Sequence, residues 1–151
     1  MIERSTRSVE ETEAVAIELA ASLRGGDCIA LHGEMGAGKT QFVRGLVRGL
    51  GGNGRAVSSP TFVLLNVYDT PPMRLAVYHL DAYRVTGGDD FDAIGFPELL
   101  TQGGVVVVEW PERVMSLLPD RRIEVRITPT GPDSRRIEIG RPSATNPCTP
   151  G

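Results

Sequence analysis

One stretch of eight residues, Gly33–Thr40, constrains the fold of this chain more than any other. It reads Gly-Glu-Met-Gly-Ala-Gly-Lys-Thr and matches the pattern G-x-x-x-x-G-K-[ST] at every fixed position. A short apolar run at 28–31 precedes it, and an amphipathic segment at 39–50 follows it. This succession predicts a strand, a glycine-rich turn and a helix whose N-terminal amides surround a phosphate. The chain is therefore expected to fold around an anion-binding strand-to-helix bend.

The side chains of this loop indicate which anion it binds. Lys39 is the only lysine of the chain, which otherwise uses 15 arginines as its positive charges. Its compact ammonium group lies in the loop, where we expect it to contact the outer phosphates of a nucleotide. The Thr40 hydroxyl is expected to coordinate Mg²⁺ on those phosphates. The other residues assigned to nucleotide binding here are Gly33, Glu34, Met35, Gly36, Ala37, Gly38 and Gln41.

A second apolar run, at 105–108, ends in a carboxylate, Glu109. A strand-end carboxylate is what a phosphate-bound Mg²⁺ requires, and the alternative is a glutamate that only faces solvent. Trp110 follows directly and could stack on a base or a partner, or pack in the core. We therefore assign Glu109 to the metal site and Trp110 to nucleotide binding.

Polar side chains also gather at the end of the predicted strand 74–83. Period-two geometry puts His79, Asp81 and Tyr83 on one face. Asp81 could hold a metal-bound water or orient an attacking water, whereas a structural salt-bridge cluster with Arg84 is the alternative. The loop 58–61 could sense a γ-phosphate, or be a plain turn.

The remaining pattern completes one α/β domain over residues 1–141, followed by a Pro-rich tail at 142–151 that is expected to be disordered. The predicted fold is a P-loop NTPase with a mixed, centrally parallel sheet and helices on both faces. The other predicted elements are a helix after a capping box at Ser8–Glu11, antiparallel strands at 62–68 and 74–83, a short helix at 111–118 and a C-terminal hairpin through 123–127 and 137–139.

Composition limits the partners. The net charge of −3 gives no reason to expect autonomous binding to DNA or RNA, although arginines gather at 121, 122, 126, 135 and 136. These arginines could contact nucleotide, partner or RNA, or form a solvated strand face; Arg135 is assigned to the nucleotide site. No stretch approaches the roughly 20 apolar residues of a membrane span, and no secretory signal is evident, so a cytoplasmic protein is expected.

Taken in order, these motifs resemble one family. The chain carries G-E-M-G-A-G-K-T, then Val57-x-Ser59-Pro60-Thr61-Phe62, then His79-x-Asp81-x-Tyr83-Arg84, then Val108-Glu109-Trp110-Pro111-Glu112, and it is similar to the TsaE family of bacterial tRNA threonylcarbamoyladenosine biosynthesis over roughly residues 5 to 140.

The resemblance implies an ATPase, weak alone, that acts with the proteins TsaD and TsaB and meets tRNA through that complex. By motif match, Thr40 and Glu109 would hold Mg²⁺, Asp81 would support hydrolysis of ATP to ADP near the metal, and Thr61 would lie near the γ-phosphate. It further implies that base contacts come from the start of the first helix, which here offers Thr6, Ser8 and Glu11.

Two other functions remain open. A small-molecule kinase would need an arginine-bearing lid and an acceptor pocket, for which the chain has little spare length. A nucleotide-gated binding module with negligible turnover would look the same in sequence. A GTPase is disfavoured, because an Asn-Lys-x-Asp guanine-reading loop needs a second lysine, which the chain lacks.

Overall fold

The structure is a computed structural model that describes residues 2–58, 65–83 and 95–142. Several sequence predictions lie outside these ranges: the roles of Thr61 and Arg84, most of the loop 58–61, the first residues of the strand predicted at 62–68, and the tail from residue 143 onward.

Seven strands and three α-helices form the described fold. In chain order they are β1 Ile2–Thr6, α1 Val9–Ala20, β2 Cys28–His32, α2 Lys39–Gly49, β3 Leu65–Tyr68, β4 Val77–Asp81, α3 Phe96–Leu99, β5 Val105–Glu109, β6 Ile123–Pro129 and β7 Arg135–Gly140. Short 3-10 turns lie at Gly54–Ala56, Pro111–Arg113 and Met115–Leu117.

These strands form one sheet in the order β1-β7-β6-β2-β5-β4-β3. The four central strands, β6, β2, β5 and β4, run parallel, and β1, β7 and β3 add to them antiparallel. Every residue of β2 and of β5 is buried, as expected for strands covered on both faces. The predicted mixed sheet with a parallel centre is therefore confirmed.

The two faces of the sheet are covered differently. One face carries α1 and α2, which pack closely together because α2 has glycines at the contact; a Cβ added to Gly45 would lie 2.4 Å from the Glu13 carbonyl oxygen. The other face is covered by α3 and by the 3-10 turns around the buried Val114 and Leu118. Helical segments thus cover both faces, but the second layer consists of short pieces.

The segment 111–118 differs from its prediction. It forms two 3-10 turns instead of one α-helix, because Val114 leaves the helical region at φ −135° and ψ 24°. Leu118 then adopts an extended conformation, as a residue before a proline favours. No helix in the described ranges is long and apolar enough to cross a membrane.

The start of α1 follows the capping box with one change. The Glu11 amide donates to the Ser8 hydroxyl at 3.1 Å, as predicted. The Glu11 carboxylate, however, accepts from the Arg7 amide at 2.8 Å and not from that of Ser8. Both bonds fix the entry to α1, which forms one wall of the cavity described next.

Candidate functional site

A cavity of about 430 Å³ opens where the carboxyl ends of β2, β4 and β5 meet the start of α1 and the β6–β7 turn. The residues assigned from the sequence that line it are Ser8, Met35, Gly36, Gly38, Lys39, Thr40, Gln41, Asp81, Glu109, Trp110 and Arg135. Tyr83 and Val9 also line it, together with Thr12, Pro132 and Asp133, which were not assigned to the site from the sequence. Of these three, only Thr12 had a signal, since it lies one helical turn beyond Ser8.

The glycine-rich loop presents a helix N-terminus to this cavity. Gly36 and Gly38 have φ values of 82° and 108°, in the left-handed region that favours glycine. Gly38 is the N-cap of α2 and supplies no side-chain cap, and the first backbone bond of the helix joins Phe42 N to Gly38 O. The amides of the first turn of α2 therefore have no intrahelical partner and can donate to an anion.

Arg135 stabilises this loop by donating hydrogen bonds to its backbone carbonyls. Its Nε donates to Ala37 O at 2.7 Å and its Nη2 donates to Gly36 O at 3.2 Å. Its Nη1 donates to the carbonyl oxygens of Gly131 and Ser134 in the β6–β7 turn. All three guanidinium nitrogens are thus used on carbonyls, which turns the loop carbonyls toward Arg135 and away from the anion position.

Lys39 lies buried at the floor of the cavity, with a side chain 7% exposed. Its Nζ is 3.7 Å from Glu109 Oε1 and 4.1 Å from the centroid of the Trp110 ring. Burial lowers the pKa of Lys39, while the carboxylates of Glu109, Asp81 and Glu112 act in the opposite direction. A phosphate entering the cavity would give this desolvated ammonium group a stronger anionic partner.

Glu109 is held between two basic groups. One carboxylate oxygen faces Lys39, and the other lies 2.5 Å from Nε2 of the fully buried His79. Nδ1 of His79 is the one buried side-chain nitrogen or oxygen in the described ranges without a hydrogen-bond partner. His79 therefore fixes the orientation of the Glu109 carboxylate from the core side.

Asp81 lies beside Glu109, because these residues are register partners on β4 and β5. Burial raises the pKa of Asp81, against a 2.8 Å hydrogen bond that its Oδ1 accepts from the Tyr83 amide. Together with the Thr40 hydroxyl, two carboxylates line the cavity. Such oxygen donors next to a phosphate position suit Mg²⁺, which binds few protein ligands and keeps phosphates and waters as the others.

Trp110 lines the cavity and, being partly buried, also packs against the core cluster that contains Val114 and Leu118. Its backbone is left-handed, with φ 55° and ψ 49°, an uncommon conformation for a bulky residue. Its ring packs against that of Tyr83, with centroids 4.9 Å apart, and the Arg113 guanidinium lies 5.3 Å from the centroid of the Tyr83 ring. An aromatic wall thus closes the cavity on the β4–β5 side.

Two exposed apolar side chains also line the cavity. Val9, at the start of α1, is 47% exposed and Met35, in the loop, is 79% exposed, although both are large hydrophobic residues. Apolar walls beside a phosphate position are suited to the flat face of a base.

Several residues assigned from the sequence lie elsewhere. Thr6 is buried and does not line the cavity itself, but its hydroxyl pairs at 2.9 Å with that of Thr12, which does. Glu11 caps α1 from outside the lining. Gly33 and Glu34 line a separate depression on the far side of Trp110. Ala37, within the loop, is fully buried and does not line the cavity.

Over most of its length the chain is similar to known proteins. The family model for "Threonylcarbamoyl adenosine biosynthesis protein TsaE" matches residues 6–137. The tRNA threonylcarbamoyladenosine biosynthesis protein TsaE of Bacillus subtilis is 39% identical over 132 residues, which are 87% of this chain and 80% of that protein. The Streptomyces coelicolor protein of the same name is 45% identical over 114 residues, 72% of this chain and 73% of its own. The crystal structure of Bacillus subtilis YdiB superposes with a TM-score of 0.72 at 32% identity, covering 90% of this chain and 82% of that one.

Proposed function

The chain belongs to the TsaE family and so to tRNA threonylcarbamoyladenosine biosynthesis, and we propose that it serves this modification as a Mg²⁺-dependent ATPase. The observation that carries the proposal is the uncapped start of α2 beside the buried Lys39 ammonium group, in a cavity that also presents two carboxylates. This combination attracts a polyphosphate and provides oxygen donors for its metal.

Each residue has a distinct role in the proposed reaction. The amides of the first turn of α2 and Lys39 bind the phosphates, and Thr40 and Glu109 would hold Mg²⁺. The metal, when bound, supplies positive charge that neutralises the phosphate oxygens. Asp81 orients a water in line with the γ-phosphate or holds one in the metal's shell, so catalysis comes from positioning and charge stabilisation. ADP and phosphate are the products.

Nucleotide selection is proposed to occur between Val9 and Met35. Both side chains are exposed and apolar and both line the cavity, while Ser8 lies beside them with a hydroxyl that already accepts from the backbone. An adenine ring inserted there would bury apolar surface of both residues. Trp110 and Tyr83 form the facing aromatic wall.

We further propose that the protein works in the cytoplasm with TsaD and TsaB, which bring it to tRNA. Support comes from the family's part in tRNA modification and from the exposed aromatic side chain of Tyr83, which offers a partner an anchor next to the nucleotide cavity. Neither DNA nor a membrane has a part in this proposal.

Lys39→Ala tests nucleotide binding. Calorimetric titration with Mg-ATP should show a loss of affinity of about 100-fold or more, because a desolvated charge-assisted contact disappears. Arg48→Ala is the matched control, since it removes one positive charge from the far end of α2, where Arg48 pairs with Glu13. Undiminished binding by Lys39→Ala, with normal binding by the control, would refute the assignment.

Turnover is tested separately by measuring phosphate release from the isolated protein and from its mixture with TsaD, TsaB and tRNA. Slow release that the partners stimulate supports a partner-dependent ATPase. Tight Mg-ATP binding without release in either sample would instead make the protein a nucleotide-gated binding module.

A further inference from the structure

A second cavity, of about 630 Å³, lies at the opposite ends of the parallel strands from the nucleotide cavity. The segments that precede β2 and β6 form it, so it lies at the amino ends of the parallel strands, whereas Gly33–Thr40 follows the carboxyl end of β2. Three arginines from separate parts of the chain line it, namely Arg24 after α1, Arg121 before β6 and Arg141 after β7. We call this cavity the basic cleft.

These three arginines differ from most others in the described ranges. Arg4, Arg48, Arg122 and Arg136 pair with carboxylates, and Arg44, Arg74 and Arg135 donate to backbone carbonyls. No ion pair or side-chain hydrogen bond of Arg24, Arg121 or Arg141 occurs within residues 2–58, 65–83 and 95–142, and all three are exposed. The chain has a net charge of −3, so three unpaired guanidinium groups at one cleft are not a consequence of a basic composition.

We propose that the basic cleft binds the phosphodiester backbone of RNA. Guanidinium groups are the usual side-chain partners of phosphate, and they bind two phosphate oxygens at once. The rest of the lining is small or polar, with Gly25, Gly26 and Ser22, and its apolar members are Leu100 and Pro119. A protein partner would instead require a large apolar or aromatic anchor at the centre of the contact.

One acidic residue, Asp27, also lines the cleft. Its Oδ2 accepts a 2.8 Å hydrogen bond from the Arg24 amide, so the carboxylate is partly engaged in the turn that precedes β2. Three guanidinium groups against this one carboxylate leave the cleft positive. Because the three guanidinium groups would contact phosphates and not base edges, RNA binding is expected to be independent of base sequence and sensitive to salt.

The position of the cleft determines how it relates to the proposed ATPase site. The parallel strands separate the two cavities, and no lining residue belongs to both. RNA and nucleotide can therefore be bound at the same time. The proposal goes beyond the ATPase function and does not depend on it.

The test is fluorescence anisotropy of labelled tRNA titrated with the full chain. Three phosphate contacts predict a salt slope of about −2.1 to −2.7, so affinity should fall about 20- to 40-fold between 50 and 200 mM salt. The variant R24A/R121A/R141A should remove most of this dependence and weaken binding at 50 mM salt by at least tenfold. A labelled homopolymeric RNA should give a similar result, because only the backbone is contacted.

The matched control is R7A/R55A/R126A, which removes three exposed arginines that likewise make no ion pair in the described part of the chain. It changes the net charge equally but leaves the basic cleft intact, so it should bind RNA within about twofold of wild type. Equal losses from the two triple variants would overturn the proposal, because they would show a non-specific charge effect.

Two further outcomes would also overturn it: wild-type protein that binds neither tRNA nor the homopolymer at 50 mM salt, and a cleft variant that keeps RNA binding but loses binding to an acidic protein partner. Mg-ATP titration of the cleft variant should match wild type, which separates this proposal from the ATPase assignment tested by Lys39→Ala.

Discussion

Replacing Arg135 by alanine should weaken nucleotide binding, although all three of its guanidinium nitrogens already donate to backbone carbonyls. The side chain donates to Ala37 O at 2.7 Å and to Gly36 O at 3.2 Å, and so holds the outer side of the loop. A hydrogen bond from a charged donor contributes about 1.5–3 kcal/mol. Arg135 and its shorter bond are partly buried whereas the longer bond is exposed, so only the shorter bond is counted. Without this bond the loop must be ordered when nucleotide binds, and we take the lower part of that range, about 1.5–2 kcal/mol, as the cost.

This free energy corresponds to a rise in the Kd for Mg-ATP of about 10- to 30-fold. Arg135→Lys should lie between wild type and alanine, because one ammonium group cannot reach both carbonyls in the geometry of the guanidinium fork. Arg136→Ala is the control, because among the described residues Arg136 pairs only with Glu3 and Glu138, at 3.8 and 3.9 Å on the surface. This variant should stay within about twofold of wild type.

The chain provides its own optical signal for this assay. Trp110 is the only tryptophan, and its ring lies 4.1 Å from Lys39 Nζ, so a nucleotide that attracts Lys39 should change its fluorescence. Thermal unfolding of each variant shows whether a change in Kd is local. If Arg135→Ala binds Mg-ATP as tightly as Arg136→Ala does, the loop supports itself and the reasoning fails.

Three other predictions concern different parts of the molecule. Asp81→Asn should keep Mg-ATP binding and lose phosphate release, and normal release would exclude Asp81 from the mechanism. Burial raises the pKa of Asp81, so the stability that its protonated form contributes is lost as pH rises through that raised pKa. Asp81→Asn should therefore unfold at a higher urea concentration than wild type at pH 7. An equal or lower urea midpoint would contradict this linkage. Gly45→Ala should cost about 1–3 kcal/mol in urea unfolding by overpacking, and Gly131→Ala, whose added Cβ would meet no atom closer than 3.6 Å, should stay within about 0.5 kcal/mol; similar costs would refute the packing argument. Burial raises the pKa of Cys28 to about 12, so in a Cys148→Ser background alkylation at pH 8 should proceed only as fast as global unfolding, and rapid modification of folded protein would be the contrary result.

The centre of the fold could be predicted from sequence because its signals are local. The runs at 28–31 and 105–108 are apolar on both faces, which predicts strands buried on both sides of the sheet. The fixed spacing of Gly33–Thr40 requires the bend between β2 and α2. The place of Glu109 beside Lys39 follows, since parallel strands end at the same edge of the sheet. These elements therefore needed no knowledge of distant contacts.

The edges of the fold could not be predicted in this way. β1 shows no alternation, because four of its five residues are exposed, and only pairing with β7 makes it a strand. The sequence assigned Arg135 to the nucleotide site but did not predict that its guanidinium holds the carbonyls of a loop about one hundred residues earlier. The exposed apolar walls at Val9 and Met35 arise only when α1 and the loop meet. Contacts of this kind depend on tertiary structure, which periodicity does not report.

The burial of the only lysine has a consequence for regulation. Acetylation, ubiquitin-like tagging and other modifications of lysine side chains have no target on this chain except Lys39. Acylation would remove the charge that faces Glu109, and any modification of this side chain would occupy the floor of the cavity. A cell that acylates lysines broadly would therefore leave the surface of this protein unmodified, and the few molecules that it did modify would have a neutral, obstructed cavity.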